Sequence, residues 1–221
     1  MKTIVFTGGS SLLAQSWINK KHRGFNFILG IHKRQLNEIK NKIFEFNYEN
    51  VEELTRQLVK VKADIVINCI GLTSVEECEE DFELAFKTNV IISGNIAQAC
   101  QSSKIKLVHI STDHLFDGNL AFTDEKQLKA PLNNYGKTKS EGENIVLQNY
   151  PEALIIRTNF FGLGPSYKPS FSDKILKNLE KGIYSKLFKD VYYTPVSVQT
   201  LKEQVYQLLK KKSKRYLQYK F

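Results

Sequence analysis

Three side chains in this 221-residue chain have the types and spacing to move a proton to or from a carbonyl or hydroxyl oxygen: Thr112, Tyr135 and Lys139. Thr112 stands in Ser111-Thr112-Asp113-His114-Leu115-Phe116-Asp117-Gly118, directly after the apolar run Leu107-Val108-His109-Ile110. Tyr135 and Lys139 lie in Pro131-Leu132-Asn133-Asn134-Tyr135-Gly136-Lys137-Thr138-Lys139, where a helix is predicted. Residues four apart share one helix face. An ammonium beside a phenol favours the phenolate and lowers a pKa that is ordinarily about 10. Tyr135 is then expected to act as acid or base near neutral pH, with Thr112 as a second hydrogen bond to the reacting oxygen. Tyr206/Lys210 and Tyr216/Lys220 repeat the spacing. Both fall in the basic C-terminal stretch and follow no strand-end Ser-Thr-Asp, so position singles out Tyr135/Lys139.

The elements that position these groups follow from the hydrophobic pattern. Strands are predicted over 2–7, 26–31, 43–46, 64–69, 106–111 and 153–157, with helices near 11–21, 50–61, 82–102 and 136–149. Strands alternating with helices of this length imply parallel βαβ units. Short continuous apolar runs such as Ile4-Val5-Phe6 and Ile65-Val66-Ile67 suit strands covered on both faces. The expected fold is α/β, a doubly wound parallel sheet of Rossmann-like type. Residues 1–160 are expected to form a dinucleotide-binding domain. Residues 161–221, with helices near 170–181 and 198–212 and short strands at 184–188 and 215–220, are expected to form a small, truncated lobe for substrate.

Thr7-Gly8-Gly9-Ser10-Ser11-Leu12-Leu13-Ala14 follows the first strand and opens a helix, as a phosphate-cradling turn does. Ser11 either crowds the phosphate with its Cβ or serves as a ligand through its hydroxyl. The second strand ends in Gly30-Ile31-His32-Lys33-Arg34, with no acid for ribose hydroxyls but two cations suited to a 2′-phosphate.

Together these segments resemble the dTDP-4-dehydrorhamnose reductase branch of the extended short-chain dehydrogenase/reductase family. The resemblance covers most of residues 1–210. It implies a cytoplasmic, NADP-dependent oxidoreductase, with NADP(H) preferred over NAD(H), that reduces a keto-sugar nucleotide of the 4-keto-6-deoxy type in polysaccharide or deoxysugar biosynthesis. It implies catalytic roles for Thr112, Tyr135 and Lys139. Cofactor contacts are expected from Gly8, Ser10, Ser11, Leu12, Lys33, Arg34, Asn47, Tyr48, Cys69, Ile70, Gly71, Asn89, Ser111 and Lys139. Substrate contacts are expected from Thr112, Asp113, His114, Tyr135, Asn159 and Phe160. The chain departs from the family pattern at Ser11 and Ala14 for glycines, Asn47 for an acid, His114 for tyrosine and Phe160 for tryptophan. Sugar-nucleotide dehydratases of the superfamily place Glu after the Asp; here His114 follows Asp113, which argues against dehydration. A catalytically quiet dinucleotide-binding regulatory or scaffold subunit and a sugar-nucleotide epimerase are the alternatives. A homodimer or a partner enzyme is expected to use helices 82–102 and 136–149.

Composition excludes other classes. The formal charge of +9 favours anionic ligands, but only five of the 32 cationic residues are arginine, so a dedicated nucleic-acid reader is not expected. Cys69, Cys78 and Cys100 have no metal-ligand spacing, nor do the four histidines, so free thiols and no metal are expected. No run approaches the roughly 20 apolar residues of a membrane span, and no signal peptide is read at the N-terminus.

Overall fold

The computed structural model describes residues 1–18, 24–31, 42–120, 123–189, 191, 193–210 and 216–218. Lys33 and Arg34 therefore lie outside the described residues. The strands are β1 (Lys2–Thr7), β2 (Phe25–Ile31), β3 (Lys42–Glu45), β4 (Ile65–Asn68), β5 (Lys106–Ile110), β6 (Leu154–Arg157), β7 (Phe160–Phe161), β8 (Val196–Ser197) and β9 (Tyr216–Gln218). Seven of them form one parallel sheet in the order β3-β2-β1-β4-β5-β6-β9. The chain winds outward from β1 in one direction, then from β4 in the other. That reversal leaves a crevice at the carboxyl ends of β1 and β4, where such sheets bind ligands.

The apolar runs form strands because both faces are covered. Ile4, Val5 and Phe6 are fully buried. Alternation along each strand sends Val5, Val66 and Leu107 into one cluster, and Ile4, Phe6, Ile65, Ile67 and Val108 into the other. The first cluster is completed by α2 (Val51–Lys60), α5 (Ile92–Ser102) and α6 (Asn134–Asn149), and the second by α1 (Leu12–Ile18) and α8 (Val198–Lys210). No helix among the described residues is long and apolar enough to cross a membrane.

The structure departs from the sequence expectation in three places. The helix expected over 82–102 consists of α4 (Phe82–Phe86), a π turn over Lys87–Ile91, and α5. An unexpected helix, α3 (Val75–Glu80), precedes it, with Ser74 as its N-cap accepting from the Glu77 amide at 3.2 Å. No strand forms at 184–188; the second, two-stranded sheet pairs Phe160–Phe161 with Val196–Ser197 instead.

Much of the segment 161–221 rejoins the main sheet. β9 pairs with β6, and α8 packs beside α1, where Trp17 Nε1 donates to Tyr206 Oη at 2.7 Å. What stays off the sheet is the stretch around α7 (Phe171–Glu180), a helix with no buried residue.

Candidate active site

The turn after β1 is built around glycines. Gly8 has φ +66°, and a Cβ there would stand 3.0 Å from the Cys69 carbonyl oxygen. Its neighbour Gly9 donates its amide to the Gly30 carbonyl at 2.8 Å, and a Cβ on Gly9 would meet Leu29 Cβ at 2.8 Å. The turn is thus pressed between the ends of β2 and β4, and only glycine fits both positions. Ser11 has a different task from either one the sequence allowed. Its Oγ accepts from the Ala14 amide at 3.3 Å, capping α1, and also hydrogen-bonds the Cys69 thiol.

A cavity of about 240 Å³ opens beside this turn. Its lining brings together Gly8 and Ser10 from the turn, Gly30 and Ile31 from β2, Tyr48 and Glu49 after β3, and Ile70 after β4. Leu84, Lys87, Thr88 and Ile92 close the opposite wall. Gly30 lacks the Cβ that would strike the Tyr48 hydroxyl, so the buried phenol lies across β2. Burial raises the Tyr48 pKa. From the loop before α7, Tyr167 donates its hydroxyl to the Ser10 carbonyl at 3.1 Å.

The candidate proton-transfer groups lie after the end of β5 and at the start of α6. Asn133 caps α6, its Oδ1 accepting from the Gly136 amide at 2.8 Å. Gly136 allows the loop after β5 to pass close, since a Cβ would collide with the His114 carbonyl. Tyr135 and Lys139 then face inward, both buried. The Tyr135 hydroxyl neighbours the Thr112 side chain. Thr112 Oγ1 in turn accepts from the His114 amide at 3.2 Å. Lys139 Nζ donates to the Ile110 carbonyl at 2.8 Å.

The electrostatics differ from the sequence expectation. Burial pushes the Tyr135 phenol up to about 12; the Thr112 side chain opposes this, and Asp113 and Cys78 add to it. Lys139 is not among these influences, so it does not draw Tyr135 down as four-residue spacing alone implied. Burial instead lowers Lys139 itself to about 8, opposed by Glu143 and Cys69. Tyr135 is therefore a protonated acid across the neutral range.

Several expected contact residues have other partners. Asn47 is exposed and faces α2; its Nδ2 donates to Glu53 Oε2 at 2.8 Å and its Oδ1 accepts from the Glu49 amide. Asn89 is buried with its amide fully engaged: Oδ1 accepts from the Leu72 amide, and Nδ2 donates to the Leu72 carbonyl and Thr138 Oγ1. It clamps the loop after β4 to α6 rather than facing the cavity. Phe160 packs on the α1/α8 side of the sheet, and the Asn159 carbonyl accepts from the Val196 amide. Cys69 is half-buried behind the turn, with its thiol pushed up to about 12 by burial. His114 stands edge-on to Tyr135 with ring centroids 5.6 Å apart, and its Nε2 is 4.0 Å from Asp113 Oδ1. Leu12 opens α1.

Other contributors were not singled out from sequence. Helix α3 covers Tyr135 through Cys78, and Glu79 accepts from the Asn134 backbone and side-chain amides at 2.7 and 2.8 Å. Its signal was present as Ser74-x-x-Glu77, a capping pattern. Leu84 and Lys87 carry no local signal, because folding alone brings α4 and the π turn to the cavity.

A dinucleotide fits this arrangement. The glycine turn offers backbone at close approach, and Gly71 lets the loop after β4 pass close to Asn89 and Lys139, a Cβ there standing 3.2 Å from Asn89 Oδ1 and 4.0 Å from Lys139 Nζ. Ser111 Oγ is buried with no hydrogen-bond partner among the described residues. A buried hydroxyl without a partner is costly, and a bound ribose or carboxamide supplies one. Gly8, Ser10, Tyr48 and Ile70 would hold the adenosine end, and Lys139 and Ser111 the other.

Comparison with known proteins agrees. The family described as RmlD substrate binding domain matches residues 1–220. The probable low-salt glycan biosynthesis reductase Agl14 of Haloferax volcanii is 29% identical over 193 residues, covering 86% of this chain and 64% of its own. The chain thus spans about two thirds of that relative's length. The crystal structure of a hypothetical dTDP-4-dehydrorhamnose reductase from Sulfolobus tokodaii superposes with TM-score 0.82 at 29% identity, covering 99% of this chain and 76% of that one. A dTDP-4-dehydrorhamnose reductase from Bacillus anthracis, solved in complex with NADP, shares the fold with TM-score 0.83 at 23% identity, covering 99% and 75%. With a seven-stranded doubly wound sheet, a glycine turn at its switch point and a family match along nearly its whole length, the chain belongs to the RmlD substrate binding domain family, an extended branch of the short-chain dehydrogenase/reductases.

Proposed function

We propose that this chain reduces a keto-sugar nucleotide of the 4-keto-6-deoxy type, using NADPH in preference to NADH. The observation that carries this reading is the buried Tyr135 hydroxyl, set beside Thr112, one helical turn before Lys139 and next to the dinucleotide crevice. Names borne by relatives, a glycan biosynthesis reductase and dTDP-4-dehydrorhamnose reductases, support it.

The bound dinucleotide supplies the hydride. Tyr135, protonated below about pH 12, gives its proton to the carbonyl oxygen as the alkoxide develops. Thr112 donates a second hydrogen bond to the same oxygen. Lys139, charged below about pH 8 and bonded to the Ile110 carbonyl, reaches the ribose hydroxyls at the nicotinamide end of the crevice. The off-sheet segment around α7 and the loop bearing Asp113 and His114 hold the sugar nucleotide.

The test is the Tyr135→Phe variant on a panel of 4-keto-6-deoxy sugar nucleotides, with NADPH oxidation followed at the nicotinamide absorbance. The expected loss is at least about 10²-fold in kcat, the size of one general-acid contribution, with NADPH affinity nearly unchanged. Normal turnover by the variant sinks the assignment. NADPH binding without turnover on any such substrate by the native chain favours the quiet regulatory subunit instead.

A further inference from the structure

Among the described residues, the charged side chains on the cavity lining are Glu49 and Lys87, and they face each other. Lys87 Nζ lies 2.8 Å from Glu49 Oε1, with both side chains 53% exposed. Glu49 directly follows Tyr48, and its amide donates to Asn47 Oδ1 at 3.2 Å, which fixes its backbone. Lys87 opens the π turn. The rest of the lining near the end of β2 is Gly30 and Ile31, which bring no charged side chain.

In this fold a carboxylate near the end of β2 accepts hydrogen bonds from the adenosine ribose, and it repels a 2′-phosphate. Here a carboxylate reaches the same cavity from β3 instead, and an ammonium neutralises it. A half-exposed ion pair contributes little, so separating its members costs little. A phosphate dianion is the stronger partner for an ammonium.

We propose that the Glu49–Lys87 pair sets the cofactor selectivity of this site. Lys87 exchanges Glu49 for the 2′-phosphate of NADP(H), and Glu49 accepts from the ribose hydroxyls of NAD(H). The inference rests on the dinucleotide reading above and adds two specificity residues to it. It is separate from the expectation for Lys33 and Arg34, which lie outside the described residues.

The experiment is calorimetric titration of the full chain with NADPH, NADH, 2′,5′-ADP and 5′-AMP, without sugar substrate. In Lys87→Gln, NADPH and 2′,5′-ADP are expected to weaken about tenfold, the equivalent of one charge-assisted hydrogen bond, while NADH and 5′-AMP change less than about twofold. Lys87→Arg should restore the preference. Glu49→Gln should weaken NADH and leave NADPH equal or tighter. Circular dichroism on each variant separates these effects from misfolding. Equal losses of phosphorylated and unphosphorylated ligands in Lys87→Gln, or no loss, overturn the proposal while leaving the dinucleotide reading intact. Binding of neither dinucleotide by the native chain overturns both. Failure of the reductase assignment alone leaves these affinities readable.

Discussion

Gly142 sits in the interior of α6, where helix propensity favours alanine by about 1 kcal/mol. The structure predicts the opposite sign for Gly142→Ala. A Cβ at Gly142 would stand 2.5 Å from the Asn89 carbonyl oxygen, an atom of the π turn's backbone rather than a mobile side-chain end. Reaching ordinary contact requires the helix and the turn to part by roughly an ångström. That movement stretches the buried hydrogen bond from Asn89 Nδ2 to Thr138 Oγ1, now 3.0 Å, beyond bonding range. Overpacking costs about 1–3 kcal/mol, and an orphaned buried polar group a similar amount. Against about 1 kcal/mol of propensity gain, the net is a loss of about 1–5 kcal/mol, centred near 3, which at that centre is a fall in Tm of roughly 6–12 °C for a chain of this size. Urea unfolding should show a lower midpoint at unchanged slope. Thr138 precedes Lys139, so kcat should fall more than NADPH affinity. Gly94→Ala is the control: its Cβ would meet Ile145 Cγ1 at 3.0 Å, half an ångström farther off than the Gly142 contact and on a side chain rather than backbone, so its stability should stay within about 1 kcal/mol of native. A Gly142→Ala variant as stable as native, or more so, would falsify this account of the contact between α6 and the π turn.

Glu143 forms a buried pair with Arg157, whose Nε and Nη2 donate to it at 3.0 and 2.8 Å. Glu143→Gln should cost about 3–5 kcal/mol in denaturant unfolding, and a cost under about 1 kcal/mol would mean that water screens the pair. Reductive kcat/KM should decline above about pH 8, where the buried Lys139 loses its charge, and Lys139→Met should abolish that limb. The same residue should leave a mark on stability. Its folded pKa lies below its ordinary value of 10.5, so the unfolded chain binds more protons between those pH values, and Lys139's contribution should rise with pH across about 8 to 10.5. Denaturation midpoints of native and Lys139→Met chains across that window test the sign. Ser11→Ala should cost about 1 kcal/mol as a lost helix cap and Ser11→Gly only a few tenths, with no tightening of NADPH; a clear gain in affinity from glycine would mean that Ser11 does crowd the phosphate.

Much of the architecture was legible in the residues because burial on both faces of a parallel strand demands an unbroken apolar run. Ile4-Val5-Phe6, Ile65-Val66-Ile67 and Leu107-Val108 could take few other roles. The shared face of Tyr135 and Lys139 likewise follows from four-residue spacing on a helix. Asn89 shows where local reading stops. Its place in Thr88-Asn89-Val90 allowed a cofactor contact or a structural hydrogen bond, and partners 17 and 49 residues away take up its amide. Ser11 offered a choice between crowding and ligation, and the helix it caps supplied a third role.

The sequence by itself determined the doubly wound fold, the glycine turn and the shared helix face of Tyr135 and Lys139, since each depends on periodicity or spacing along the chain. Only the tertiary structure decided that β9 and α8 return to the main sheet, that Lys87 and Glu49 meet across the cavity, and that Tyr135 titrates above rather than below its ordinary range. These outcomes depend on desolvation and on contacts between residues far apart in the chain, and neither quantity is written in local spacing.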